Sequence, residues 1–166
     1  MREAITTILL AMSPTLEAHG AIVAASGLFK FSPVKTYVLT LLGSGGIVIP
    51  LLILWHKIAE TLMARFYLVN RFLTWLFSYT KRKHIHHFAM FGELDESSRR
   101  AALWKSVALY IFVAIPGPFT GVWAGSVAAF VFGIPFWHAA VALILGAATV
   151  AAIDLAVLAG FLKLIG

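Results

Sequence analysis

The chain has 166 residues, 61% of them hydrophobic and 12% charged, whereas an ordinary soluble domain carries about 25% charged residues. So much apolar surface with so few ionisable groups excludes a water-soluble enzyme and points to a bilayer as the solvent, with one domain at this length. The formal charge of +6 with no cysteine excludes disulfides and thiolate chemistry, and because most basic residues fall in one central segment it reads as a topology signal rather than a nucleic-acid footprint.

Five apolar stretches follow one another. Ala4–Phe29 is interrupted by Pro14, Glu17, His19 and Gly20. Its start resembles a signal peptide, but Glu17 and His19 stand where a cleavage site needs small residues, so it is read as part of the membrane domain. Thr36–Trp55 is twenty residues without a charge and predicts a spanning helix over 36–55. Ile58–Tyr79 is mixed. Its Ile58, Leu62, Phe66, Val69, Leu73 and Leu76 recur at helical spacing, with Lys57, Glu60, Arg65 and Arg71 gathered opposite, which predicts an amphipathic helix lying on the interface or packed along the bundle. Lys81-Arg82-Lys83 and Gly92–Arg100 then read as a water-exposed loop. Ser106–Trp137 is uncharged but broken at Pro116-Gly117-Pro118, and Ala139–Leu162 carries Asp154 alone, predicting a second spanning helix over 137–162.

Each broken stretch is too short to cross twice. Ile5–Ser13 and Val107–Ile115 are nine residues each, enough for about 14 Å of a hydrocarbon core about 30 Å thick. Proline then removes a backbone donor and clashes with the preceding turn, so a helix that enters to mid-membrane and returns on the same side is a natural solution over 4–29 and 106–134. One long kinked helix is the competing solution.

The halves share an order of elements. Pro14 precedes Gly43 by twenty-nine residues and Pro116 precedes Gly146 by thirty, while Pro33 and Pro135 open the two spanning segments. The chain therefore reads as a single all-α membrane domain over 1–166, with an inverted repeat of re-entrant helical hairpin plus transmembrane helix. Repeat one covers 1–55, a cytoplasmic linker 56–105, and repeat two 106–166. Nine Lys or Arg lie on the linker and four outside it, so the linker is expected in the cytoplasm and both termini outside.

Glu17 falls at the tip of the first hairpin. An ionised carboxylate there costs at least about 2.5 kcal/mol, so it must be paired, hydrated or protonated, and with His19 beside it a proton or cation site is expected. Capping of the second half-helix, with Ser13 or Thr15 helping, is the bland alternative. Asp154 meets the same energetic demand, with His19, Lys163 or Arg2 as candidate partners. Pro116, Gly117, Thr120 and Gly121 form the second tip, where freed backbone groups could meet an ion or an anionic head group. Trp123 serves equally as packing or as substrate contact. His84, His86 and His87 read as a basic interfacial patch on anionic lipid rather than a metal site. Gly43-Ser44-Gly45-Gly46 has no following Lys and reads as a place of close backbone approach.

Pro14-Thr15-Leu16-Glu17-Ala18-His19-Gly20-Ala21-Ile22 and Phe112-Val113-Ala114-Ile115-Pro116-Gly117-Pro118-Phe119-Thr120-Gly121-Val122-Trp123-Ala124-Gly125 resemble the two motifs of the small multidrug export family. The resemblance covers nearly the whole chain, and it implies a distant relationship to the DedA membrane proteins, which are linked to proton-coupled traffic of lipid carriers. It places Glu17 at the family's acidic position and Pro116, Thr120, Gly121, Trp123 and Gly125 in its second motif. His19 stands where the family usually has Arg, and Val23 where it has Pro, so a titratable group replaces a permanent charge beside Glu17. The expected protein is a secondary transporter in a bacterial or archaeal cell membrane, without enzymatic activity, metal or cofactor. Membrane lipids, a small amphipathic cation or lipid phosphate as substrate, and a second copy in a homodimer are the expected partners. The alternative class is a non-transporting membrane module that stabilises a complex or organises lipid.

Overall fold

The computed structural model describes residues 1–65, 96–117 and 120–165, and these are helical with no strand among them. The amphipathic segment beyond Arg65, the Lys81-Arg82-Lys83 run, the three clustered histidines and Pro118 lie outside the described residues. In chain order the helices are α1 (Arg2–Met12), α2 (Glu17–Val23) closed by a π-helical turn (Ala24–Leu28), α3 (Pro33–Gly46), α4 (Val48–Arg65), α5 (Glu96–Ala114), α6 (Val122–Val131) and α7 (Phe136–Ile165). Two stretches, Pro33–Ile58 and Phe136–Phe161, are long and apolar enough to cross a membrane.

Local chemistry explains the breaks. Proline disfavours helical backbone in the residue before it, and Ser13, before Pro14, is extended (φ −74°, ψ 144°). Ser13 Oγ then accepts the Leu16 N–H at 3.2 Å, satisfying one donor the break would orphan. At the second break the Thr120 hydroxyl lies 2.8 Å from both the Ile115 and the Gly117 carbonyl, closing the turn. Ile47 separates α3 from α4 because Pro50 has no N–H to offer the Gly46 carbonyl one turn earlier.

The chain doubles back at both breaks. A single kinked helix would carry residues 24–28 away from α1, yet they pack against it alongside α2. In the second half Lys105 Nζ, well down α5, donates to the Phe132 carbonyl just beyond α6 at 3.1 Å. Each hairpin also ends on a left-handed residue. Gly133 (φ 60°) does so without cost, and the Ile134 and Gly133 amides bond back to Ala129 and Phe130 in a Schellman closure. Lys30 (φ 52°) occupies the matching place before α3 and carries the Cβ penalty of about 1 kcal/mol.

Boundaries differ from the sequence expectation in two places. Helix α4 runs unbroken past Trp55 to Arg65, so no new helix begins near residue 58. Helix α5 begins at Glu96, so residues 96–100 are helical rather than loop. Its polar first turns are followed directly by an apolar arm, and continuing an existing helix is cheaper than nucleating another.

The interior has two characters. Val48, Leu51, Leu109, Val113, Val122 and Leu143 form an apolar core where α4, α5, α6 and α7 meet. Around α1, α2 and α3 most buried residues are small or hydroxylated, among them Ala11, Ala18, Ala21, Thr7, Thr36, Thr40 and Ser44, with Ile22 the large exception. Glycine permits the closest crossings. A Cβ at Gly43 would lie 2.5 Å from the Ile8 carbonyl oxygen and 2.6 Å from Ala11 Cβ, and one at Gly146 would lie 3.3 Å from the Tyr110 carbonyl oxygen and 2.7 Å from Val113 Cβ. Gly43→Ala and Gly146→Ala should each therefore lower stability by about 1–3 kcal/mol, the usual cost of overpacking. Thermal unfolding of the purified protein checks this. Gly45→Ala and Gly46→Ala, which meet little or nothing, should leave the midpoint unmoved or raise it slightly, because alanine is the better helix former.

Candidate functional site

The two hairpin tips meet. Glu17 opens α2 with a left-handed backbone (φ 43°), a conformation non-glycine residues adopt only at a cost. Its half-buried side chain reaches the start of α6, where Oε1 accepts the Trp123 N–H at 3.4 Å. That N–H is one of the donors a helix N-terminus leaves without an internal partner, and the helix dipole favours a carboxylate there. Glu17 thus caps the return helix of the opposite hairpin rather than its own. Gly121 makes this approach possible, because a Cβ at that position would fall on the Glu17 carboxylate.

Trp123 also ties the tips in the other direction. Its indole Nε1 donates to the Met12 carbonyl at 3.0 Å, satisfying an acceptor at the end of α1 that the break leaves open. Behind it, Ser126 Oγ donates to the Trp123 carbonyl at 2.7 Å and accepts Trp55 Nε1–H at 3.0 Å, which fixes the tryptophan's backbone to α4.

His19, in the first turn of α2, pairs across to α7. Its Nδ1 lies 2.5 Å from Asp154 Oδ2. Of the partners the sequence offered for Asp154, the structure shows His19 in place, and the Lys163 side chain lies outside the described residues.

A small cavity lies between these groups. Glu17, His19, Thr120, Gly121, Trp123 and Ser44 all line it, with a free volume of about 10 Å³, room for one water. One carboxylate, one imidazole held by a carboxylate, and two hydroxyls around a space that fits one water is an arrangement that can exchange a proton. Among the described residues no group of three or more His, Asp or Glu could hold a metal. Pro116 and Gly117 stand apart, Pro116 exposed on the turn. A second, larger groove of about 470 Å³ runs along the outside of α5 and α7, lined by Leu103, Val107, Trp137 and Val141 among others. It contains none of the tip residues.

Sequence reasoning overlooked Met12, Trp55 and Ser126, and read Ser44 only as part of a stretch of close backbone approach. Ser126 carried a usable signal, as the lone hydroxyl in Val122–Val131 and three residues from Trp123. The Met12 carbonyl carried none, because which backbone acceptor an indole finds depends on packing.

The family described as "Putative small multi-drug export protein" matches residues 17–153. The chain belongs to that family. The match begins on Glu17, takes in the second tip and stops one residue before Asp154. The family name and the two apolar helices make this a membrane protein of the export class. Comparison with curated proteins and with solved structures finds no match.

Proposed function

We propose that this family member is a proton-coupled secondary transporter in which both hairpins re-enter the membrane as inverted repeats and Glu17 couples its protonation to the parting of their tips. The observation that carries the proposal is the Glu17 carboxylate capping the opposite hairpin's return helix across a one-water cavity. Several features support the architecture. Helices α1 and α6, of 11 and 10 residues, rise about 15 Å, half of a bilayer core. Ile8, Ala11 and Gly43 relate to one another as Tyr110, Val113 and Gly146 do. Ala11 with Val113, and Ser44 with Ala147, line the same cavity from matching places in the two halves, as expected of residues near a pseudo-symmetry axis.

The mechanism follows from the contacts. No amphipathic molecule fits between closed tips, so passage requires the Glu17–Trp123 and Trp123–Met12 hydrogen bonds to break. Protonating Glu17 turns a charge-assisted bond into a weaker neutral one and removes the charge that matched the α6 N-terminus. The Trp123 N–H and His19 then become available to an anion. A lipid phosphate accordingly suits the site better than a cationic drug, which the family name suggests and for which the site offers only Glu17 and Asp154.

The test is binding and flux by the purified protein. Short-chain phosphatidic acid should raise the thermal midpoint, as a ligand of the folded state must, and should move in proteoliposomes in response to a pH gradient. The cation tetraphenylphosphonium should do less on both counts. If neither compound shifts the midpoint nor moves with the gradient, the non-transporting module becomes the better reading.

Orientation has its own check. With Ser97→Cys, the introduced thiol in this cysteine-free chain should escape an impermeant maleimide in intact cells and react after permeabilisation. Ready labelling of intact cells would reverse the topology.

A further inference from the structure

Helix α3 carries a buried hydroxyl on every turn. Thr36, Thr40 and Ser44 recur at four-residue spacing, which places them on one face, and they are 0%, 0% and 2% exposed. Thr7 of α1 is equally buried. The Thr7 hydroxyl donates to the Glu3 carbonyl at 2.9 Å, Ser44 Oγ to the Thr40 carbonyl at 2.9 Å, and Ser26 Oγ to Thr36 Oγ1 at 3.4 Å. Thr40 Oγ1 is different. It is wholly buried and has no hydrogen-bond partner. A threonine within a helix can usually bond the carbonyl one turn back, and leaving a buried hydroxyl unpaired is destabilising. A single water beside it would supply the missing partner.

The two ends of this line give it a direction. Ser44 lines the cavity that Glu17 and His19 share. Thr36 sits at the opposite end, one residue from exposed Lys35 and close to exposed Lys30, both on the connection that closes the first hairpin. From Thr36 to Ser44 the rise is about 12 Å, which spans the outer half of a bilayer core. The second repeat supplies a comparison within the same molecule. The residues 103 positions further on are Ala139, Leu143 and Ala147, all buried and all apolar. The same packing role is filled there without a hydroxyl, so packing alone does not require hydroxyls in the first repeat.

We propose that Thr36, Thr40 and Ser44, with a water at Thr40, form a one-sided proton route from the face bearing Lys30 and Lys35 to Glu17 and the His19–Asp154 pair. The apolar counterpart in repeat two seals the cavity from the opposite face. Each hydroxyl passes its own proton inward and receives one from the outer neighbour, which leaves its O–H turned outward, as that of Ser44 is towards the Thr40 carbonyl, and rotation about the C–O bond restores the line. Proton release on the other side then requires the tips to part. The inference rests on Glu17 being the group that titrates during transport.

The route can be tested without transport, because the chain has no cysteine and silver ion is a small, charged thiol probe. Thr36→Cys and Thr40→Cys are compared with their repeat-two counterparts Ala139→Cys and Leu143→Cys. Silver nitrate is presented to one face of sealed membranes at a time, and surviving thiols are counted by maleimide alkylation after unfolding. Thr36→Cys and Thr40→Cys should be protected from the Lys30/Lys35 face about fivefold faster than Ala139→Cys and Leu143→Cys are from the face nearest them, the factor corresponding to the low end of the cost of an unpaired buried group, and should gain no protection from the opposite face. Equal rates at Thr40→Cys and Leu143→Cys, or equal access from both faces, would overturn the route. Adding Glu17→Gln to Thr40→Cys should leave silver access unchanged. The transporter reading, which flux measurements decide, therefore stands or falls separately.

Discussion

Glu17→Gln is expected to insert and fold like the parent, yet to transport slowly and without pH dependence. Glutamine keeps the side-chain length and an Oε1 that can accept the Trp123 N–H, and it meets the same left-handed backbone (φ 43°), so the tips should still close. It cannot gain or lose a proton, so the cap stays in its weaker, neutral form at every pH and no longer responds to a gradient. The loss at the parent's best pH should be roughly ten- to hundredfold, the worth of one hydrogen bond to a charged group. Asp154→Asn retains an oxygen for His19 Nδ1 and removes only the charge, so its effect should be smaller and strongest where the imidazole titrates. Flux in proteoliposomes across a pH series, with reconstituted protein matched, measures both. A Glu17→Gln profile identical to the parent's would reduce Glu17 to a structural cap.

Gly121→Ala should disable the site from the other side of the same contact. The backbone there has φ −75°, which alanine adopts without strain, so any effect comes from the added methyl. That methyl would occupy the place of the Glu17 carboxylate, and because Gly121 is buried the carboxylate has to leave. Flux should fall at least as far as in Glu17→Gln, and stability by about 1–3 kcal/mol. Combining Gly121→Ala with Glu17→Ala removes the overlap, so the double variant should regain the thermal midpoint while remaining inactive. If Gly121→Ala alone transports normally, the carboxylate is not needed where the closed structure holds it.

Pro14 and Pro116 made both breaks legible in the sequence, because proline acts on its immediate neighbours and Ser13 has the extended backbone that rule requires. Pro33, at the first position of α3, was legible for the same reason. Gly43 could be read as a close approach, but not that Ile8 and Ala11 would be what approached it. Helix ends were less legible. Residues 96–100 are polar enough for a loop, and only their continuity with the apolar arm of α5 makes them helix.

The sequence by itself determined the solvent, the two apolar spanning lengths, the positions where helices must break, and the presence of Glu17 and Asp154 where charge is expensive. These follow from composition, from rise per residue and from backbone sterics, all of which act over a few residues. Only the tertiary structure decided that Glu17 caps the helix beginning at Val122, that Trp123 turns its indole to Met12, and that Asp154 takes His19. Those partners are 106, 111 and 135 residues apart. Nothing in local periodicity selects among such pairs, because the choice is made by which helix faces pack together and which orphaned donors and acceptors they leave within reach.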